Sequence, residues 1–141
     1  MTKYFVNQTF SNAGPDITVV VAVKNGADTL EACLDSILSQ EGPNVDVIVV
    51  DGSSTDGTLE IMERYRPRLF AVLNDANLGV YDAWNRAIGL CHSPWIAFLG
   101  CDDRYSDKWA LAKLLGAAQN SCDQPVFAYS KVSHRNANDR E

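Results

Sequence analysis

Several common sequence features are missing from this chain of 141 residues, and each absence excludes a class of protein. No apolar run approaches the roughly 20 residues that a membrane-spanning helix needs. The first sixteen residues, MTKYFVNQTFSNAGPD, lack the uninterrupted apolar core of a secretion signal. The four cysteines show no C-x-x-C spacing, and only two histidines are available to join them at a zinc ion. These absences predict a cytoplasmic protein with free thiols and without a zinc site.

Positive charge is also scarce. Twelve Lys and Arg stand against 18 Asp and Glu, which gives a formal net charge of −6. Such a surface repels phosphate groups, so nucleic acid is not expected as a partner. If the protein binds an anionic phosphate ligand, a divalent cation held by carboxylates would offset the repulsion.

Apolar runs alternate with amphipathic stripes along most of the chain. Strands are predicted at residues 17–23, 45–50, 69–73, 95–99 and 126–130, and helices at 29–40, 59–65, after Gly79, and at 106–119. This alternation predicts an α/β fold with a mainly parallel, doubly wound sheet and helices on both faces. The domain would span residues 16–132, between an N-terminal extension (1–15) and a polar tail (133–141).

The third predicted helix carries large apolar residues at helical spacing. Tyr81, Trp84, Ile88 and Cys91 fall on one of its faces. This stripe predicts that the face packs in the core. For Tyr81 and Trp84, we therefore expect burial rather than stacking on a substrate.

Polar residues follow each of the first four predicted strands. They lie at 24–26, 51–57, 74–79 and 102–103. Ligands of doubly wound sheets bind outside the carboxyl ends of the strands, so these segments should share one edge. Asp102 and Asp103 are adjacent like charges that cannot be buried unpaired, so they should face water, a helix start or a cation. Asp51 ends a buried strand, where it is poorly placed for capping, whereas residues 53–57 could be only a turn and a helix cap.

Two nucleotide-binding motifs are absent. No segment matches G-x-x-x-x-G-K-[ST], which excludes a P-loop NTPase. The first strand is followed by KNGAD instead of G-x-G-x-x-G, which argues against a dinucleotide-binding dehydrogenase.

Four segments together resemble a known family. They are ITVVVAVKNGADTLEACLDSILSQ, VIVVDGSSTDGTLEIM, NLGVYDAWNRAIGLCHSPWIAFLGCDD and FAYSKV. In order and spacing they resemble the N-terminal, nucleotide-sugar-binding half of family 2 glycosyltransferases, which have the Rossmann-like GT-A fold. The resemblance implies an inverting transferase that moves a sugar from a nucleotide-diphospho-sugar, most commonly a UDP-sugar, to an acceptor hydroxyl.

The resemblance also implies roles for residues at the donor site. Asp51 would bind the nucleotide base, and Val23, Lys24 and Asn25 would lie beside the base or ribose. Lys24 stands where the family usually has an aromatic or small residue. By the same resemblance, the segment beneath the sugar diphosphate would contribute Gly79, Asp82 and Asn85.

The family's D-A-D-D motif falls on the segment GCDD at residues 100–103. Gly100 replaces the first aspartate of the motif. By the resemblance, Asp102 would keep the metal-binding position and would also contact the donor, and Asp103 follows it. The resemblance therefore implies that Asp102 and Asp103 hold Mg²⁺ or Mn²⁺ beside the diphosphate.

In the family, the catalytic base and most of the acceptor site follow the segment that matches, so no residue of this chain is assigned as the base. We expect the chain to be a donor-binding half, truncated relative to the family and of doubtful activity alone. A saccharide or lipid-linked acceptor, polysaccharide assembly at the inner face of a membrane, and a homodimer are further expectations. Two other functions stay open: a nucleotide-sugar-binding module without turnover, and a phospho-receiver domain, which shares the length and the strand-end aspartates.

Overall fold

The structure, a computed structural model, describes residues 3–6, 14–75 and 79–120. This part of the chain forms five strands and four α-helices. The strands are β1 (Lys3–Val6), β2 (Ile17–Val23), β3 (Val45–Asp51), β4 (Ala71–Asn74) and β5 (Trp95–Gly100). The helices are α1 (Leu30–Leu38), α2 (Thr58–Tyr65), α3 (Val80–Ile88) and α4 (Ala110–Gln119), with a 3₁₀ turn at Arg66–Arg68.

The strands form one sheet in the order β1-β4-β3-β2-β5. The pairs β2–β3, β2–β5 and β3–β4 are parallel, and only β1 runs antiparallel to its neighbour β4 within the described sheet. The prediction of a mainly parallel sheet is therefore confirmed. It follows from the continuous β-branched runs of β2 and β3, which suit strands covered on both faces.

Apolar side chains of β2 alternate between the two faces of the sheet. Val19 and Val21 belong to a core cluster with residues of α1, α2 and α4, including Leu34 and Leu111. Val20 points the other way, into a second cluster with Ala83 and Ala87 of α3. Helices thus cover both faces, as predicted.

The predicted inward face of α3 is wrong for Tyr81 and Ile88, whereas Trp84 and Cys91 are partly buried against the second core cluster. Its buried residues are Ala83 and Ala87, while Tyr81 is 74% exposed and Ile88 is 43% exposed. Small side chains let α3 lie close to the sheet, and the larger residues are left at its flank. Trp84 is half-buried there, and its ring contacts the ring of Phe98 on β5 with 4.8 Å between centroids.

Some element boundaries also differ from the prediction. β1 lies within residues 1–15, where no strand is predicted. α4 begins at Ala110 instead of residue 106, because Asp107 accepts a hydrogen bond from the Trp109 N–H at 2.8 Å in a preceding turn. The predicted strand at 126–130 and the polar tail lie outside the described residues. No helix in the described ranges is long and apolar enough to cross a membrane.

The strand order excludes one alternative. Apart from β1, the strands lie in the order β4-β3-β2-β5. If β2 is counted as the first parallel strand, β3 as the second, and so on along the chain, this order is 3-2-1-4. Receiver domains use the flavodoxin-like order 2-1-3-4-5, in which the first strand lies between the second and the third. Because β2 lies between β3 and β5, the chain is not a phospho-receiver domain.

Candidate functional site

The strand order reverses between β2 and β5, and this switch point sets the place of the site. From β2 the chain moves to β3 and then β4, and it then crosses back to β5 on the other side of β2. At the carboxyl edge, Asp51 pairs in register with Val23 and with Asn74, while Gly100 pairs with Ala22. The loops after β2, β3 and β5 therefore leave the same edge, which is where doubly wound sheets bind ligands.

The loop after β2 is bound tightly to the loop after β3. Three successive backbone N–H groups in the first loop donate to side chains of the second segment. Asn25 N–H donates to Ser54 Oγ at 2.7 Å, and Gly26 N–H donates to Thr58 Oγ1 at 2.9 Å. Ala27 N–H donates to Asp56 Oδ2 at 3.0 Å. These amides are thus satisfied within the protein, and they do not form the kind of open anion-binding loop that a P-loop offers.

Further hydrogen bonds join the same two loops. Asn25 has a φ of 53°, and its side-chain Oδ1 accepts a hydrogen bond from the Thr55 N–H at 2.8 Å. Gly52 N–H donates to the Val23 carbonyl at 2.8 Å. The sequence interpretation of residues 53–57 as a turn and a cap is incomplete, because Ser54, Asp56 and the following Thr58 bond across to another loop. The polar composition of residues 53–57 does not distinguish local capping from hydrogen bonds to another loop.

Asp51 is fully buried at the carboxyl end of β3. Its Oδ2 accepts a hydrogen bond from the Ser54 N–H at 3.0 Å, and its Oδ1 accepts one from the Ser54 hydroxyl. A carboxylate can accept more than two hydrogen bonds, so Asp51 retains acceptor capacity. Its burial beneath the rim means that a nucleotide base would reach it only if the neighbouring loops moved slightly.

Lys24 and Asn25 are exposed on the rim, and Val23 is buried below them. The Lys24 stem crosses beside Gly52, where a β-carbon added to the glycine would lie 3.5 Å from both Cβ and Cδ of the lysine. The lysine is therefore placed over the turn that follows Asp51. The predicted contact of Lys24 with a base or ribose stays a prediction.

Asp102 and Asp103 converge over the end of β5. Both are exposed, and a β-carbon on Gly100 would lie 2.8 Å from Asp102 Oδ1 and 3.1 Å from Asp103 Oδ2. The two carboxylates therefore occupy the space that a side chain at residue 100 would fill. The glycine that replaces the first aspartate of the D-A-D-D motif thus allows the remaining pair to fold back over the strand end.

The thiol beneath this pair is inert. Cys33 is buried, and its Sγ lies 3.5 Å from the Gly100 carbonyl oxygen. Burial raises the pKa of the Cys33 thiol to about 12, with smaller contributions from Cys101, Asp103 and Asp102. The neutral thiol supports the strand end and offers neither a nucleophile nor a soft metal ligand.

Oxygen donors from two carboxylates suit a divalent cation such as Mg²⁺ or Mn²⁺. Within the described ranges, no group of three or more His, Cys, Asp or Glu side chains is arranged to hold a metal ion. Mg²⁺ is commonly bound through one or two carboxylates together with water and substrate phosphates. The pair Asp102 and Asp103 therefore fits a cation that is shared with a phosphate ligand.

Gly79, Asp82 and Asn85 lie at or near the start of α3. Gly79 precedes the first turn, and its carbonyl accepts a hydrogen bond from the Ala83 N–H at 3.0 Å. Asp82 and Asn85 are exposed three residues apart, on one side of the helix. Their predicted place beneath the diphosphate stays a prediction. Arg86 holds α3 to the end of β4 through a 2.9 Å ion pair with Asp75.

Acid should weaken the connection between the two loops through Asp56. Hydrogen bonds from the Thr58 hydroxyl and the Ala27 N–H are the main causes that lower the pKa of the Asp56 carboxyl from its ordinary value of 3.8. A carboxyl whose pKa is lower in the folded state stabilises that state above its unfolded pKa, and this contribution is lost as the pH falls through the folded pKa. We expect Asp56→Asn to be less stable than wild type at pH 7, with a difference that shrinks below about pH 4. Urea unfolding at several pH values measures this, and a difference that stays constant with pH would contradict it.

Sequence comparison identifies the family of this chain. Residues 18–140 match the model of the family described as Glycosyl transferase family 2. The chain belongs to this family. It is 35% identical over 131 residues to a PGL/p-HBAD biosynthesis glycosyltransferase of Mycobacterium bovis, a match that covers 91% of this chain and 51% of the relative.

A second relative has a more specific name. The chain is 34% identical over 116 residues to the Escherichia coli UDP-Glc:alpha-D-GlcNAc-diphosphoundecaprenol beta-1,3-glucosyltransferase WfaP, covering 81% of this chain and 45% of that protein. The chain thus spans about half the length of the curated family 2 relatives that it matches.

Solved structures confirm the GT-A fold. The mannosyltransferase PcManGT of Pyrobaculum calidifontis, solved with GDP-Man and Mn²⁺, superposes with a TM-score of 0.67 at 26% identity. The superposition covers 74% of this chain and 32% of that one.

Proposed function

We propose that this chain supplies the donor- and metal-binding half of an inverting family 2 glycosyltransferase, which moves a sugar from a nucleotide-diphospho-sugar to an acceptor hydroxyl. The observation that carries the proposal is the convergence of two exposed carboxylates, Asp102 and Asp103, over the end of β5 at the switch point. They share the carboxyl edge of the sheet with Asp51 and the loop after β2.

The dimensions of this edge suit a nucleotide diphosphate. Asp51 ends β3 and Asp102 follows β5, with β2 between them. Two strand spacings separate these positions by roughly 10 Å. A nucleotide lying across β2 would place its base near Asp51 and Lys24 and its diphosphate near the acidic pair.

The net charge explains the need for a cation in this arrangement. Two carboxylates would repel a diphosphate, and the formal charge of −6 adds to the repulsion. A bound Mg²⁺ or Mn²⁺ would neutralise charge on the diphosphate as it leaves the sugar. Asp102 and Asp103 would hold that cation, and Gly79, Asp82 and Asn85 would line the approach of the sugar diphosphate.

The names of two similar proteins suggest the substrates. The Escherichia coli relative is named for a UDP-Glc donor and a diphosphoundecaprenol-linked acceptor, which supports a UDP-sugar and a lipid-linked or saccharide acceptor here. The Pyrobaculum structure contains GDP-Man, so the base has to be determined by measurement. A lipid-linked acceptor would bring the protein to the inner face of a membrane during polysaccharide or glycolipid assembly.

Calorimetric titration tests the proposal directly. UDP, GDP and dTDP are titrated into the protein with Mn²⁺ and again with excess EDTA. We expect one of them, UDP first, to bind with Mn²⁺ and to lose most of its affinity in EDTA. Absence of binding by all three in Mn²⁺ would overturn the proposed donor site.

A further inference from the structure

The hydroxyl of Ser54 connects two parts of the proposed donor site. It accepts a hydrogen bond from the Asn25 N–H at 2.7 Å and donates one to Asp51 Oδ1. Ser54 is 7% exposed and Asp51 is fully buried, so water has little access to replace either bond. Hydrogen bonds in such buried surroundings are electrostatically stronger than hydrogen bonds at the surface.

A matching connection is made by the next amide of the loop after β2. The Thr58 hydroxyl accepts a hydrogen bond from the Gly26 N–H at 2.9 Å and donates one to Asp56 Oδ1. The two hydroxyls thus make equivalent bonds to neighbouring amides. They differ in the carboxylate at the far end, because Asp51 ends β3 at the switch-point edge and Asp56 lies on the exposed side of the loop.

We propose that Ser54 is a positioning residue for base recognition, whose hydroxyl fixes the Asp51 carboxylate against the backbone beside Lys24 and Asn25. This inference rests on the proposed function. Ser54 also donates its own N–H to Asp51, at 3.0 Å to Oδ2. Both carboxylate oxygens are therefore oriented by one residue, and each keeps acceptor capacity for a base N–H that arrives when the neighbouring loops move.

In the described part of the chain, the metal end of the site makes no direct hydrogen bond to Ser54. Asp102 and Asp103 follow β5, and their position over Gly100 depends on the turn after that strand, in which the Asp103 N–H donates to the Gly100 carbonyl at 3.0 Å. The hydroxyl of Ser54 bonds instead to Asn25 and Asp51, and neither of these bonds involves a residue of that turn. Loss of the Ser54 hydroxyl should therefore weaken binding of the base and spare binding of a phosphate–metal unit.

Two variants separate positioning from general loop stability. Ser54→Ala removes the hydroxyl that reaches Asp51, and Thr58→Val removes the matching hydroxyl that reaches Asp56, with little change in side-chain size. Calorimetry with UDP and Mn²⁺, and with inorganic pyrophosphate and Mn²⁺, is run on both variants and on wild type. Thermal unfolding is recorded for all three proteins.

We expect Ser54→Ala to bind UDP about tenfold more weakly, because the side chain of Asp51 is no longer held in one orientation and has to be ordered when the base binds. Its pyrophosphate affinity should stay within about twofold of wild type, because the metal end is untouched. Thr58→Val should lower the unfolding temperature to a similar extent but change UDP affinity less than about threefold. If Ser54→Ala does not fold, Ser54→Cys serves instead, because a thiol of similar size is only a weak hydrogen-bonding group.

The inference is overturned if Ser54→Ala binds UDP as wild type does. It is also overturned if both variants weaken UDP binding equally, or if pyrophosphate affinity falls as much as UDP affinity, since either result indicates a merely structural role. Failure of wild type itself to bind UDP, GDP or dTDP is a different result. That outcome overturns the proposed function, and the inference falls with it.

Discussion

Replacing Gly26 by alanine is expected to lower the free energy of unfolding by about 1–3 kcal/mol, the usual cost of overpacking a filled interior. A β-carbon at this position would lie 2.7 Å from Val23 Cγ2 and 3.1 Å from Cys101 Sγ. Val23 is 4% exposed and its short branched side chain belongs to the core, so it has little room to move aside. Gly26 therefore lets the loop after β2 pass close to both β2 and the turn after β5.

Urea unfolding of Gly26→Ala against wild type measures this effect, and Gly116→Ala is the matched control. Gly116 lies inside α4, and nothing stands within 4 Å of the β-carbon that alanine would add there. Alanine is favoured over glycine in a helix interior, so the control should gain about 0.5–1 kcal/mol. Equal stability of Gly26→Ala and wild type would show that the loop yields easily and that the close contact does not hold it.

The parallel sheet was predictable because its signal is local. β2 and β3 consist of continuous β-branched runs, and such runs suit strands that are covered on both faces. Asp51 and the pair Asp102 and Asp103 could be assigned to one edge from strand direction alone, since parallel strands all end there. Chain pattern and topology were enough for these residues.

The predictions that were wrong concern features of the fold that depend on distant parts of the chain. The inward face of α3 was assigned to Tyr81, Trp84, Ile88 and Cys91. Ala83 and Ala87 occupy its centre instead, and only Trp84 and Cys91 are partly buried beside them, because the packing of helix and sheet together sets the space between the two. β1 has only four residues and forms by pairing with β4, which local sequence does not reveal. A short strand of this kind gains its stability from its partner.

The connections between the loops could not be predicted for a different reason. Ser, Thr and Asp are favoured in turns and helix caps, and the same hydroxyls and carboxylates can bond across to another loop. Asp56 makes both kinds of bond. It accepts a local hydrogen bond from the Thr58 N–H at 3.0 Å and one from the Ala27 N–H of the loop after β2, also at 3.0 Å. Only the register of β2 against β3 brings the second loop within reach.

Asp102→Asn should strongly weaken metal-dependent nucleotide binding while leaving the fold intact. The substitution keeps the shape of the side chain and removes its charge, and residue 102 is exposed, so little change in stability is expected. Loss of groups that only orient metal ligands costs about 10–100-fold in metal affinity, and a direct ligand should cost no less. We therefore expect the Mn²⁺-dependent affinity for UDP, measured by calorimetry, to fall by about 100-fold or more.

Charge alone would give a smaller and less specific effect, and Asp28→Asn controls for it. Asp28 is another exposed aspartate, in the loop after β2, and its replacement removes the same unit of negative charge. A change confined to long-range charge would slightly favour binding of an anionic nucleotide in both variants, because repulsion falls. Loss of binding in Asp102→Asn together with retention in Asp28→Asn would therefore assign the effect to a ligand at the strand end. Retained Mn²⁺-dependent binding in Asp102→Asn would instead mean that the cation is held elsewhere. The position of the Asp102 and Asp103 carboxylates over Gly100 would then be only a feature of the turn after β5.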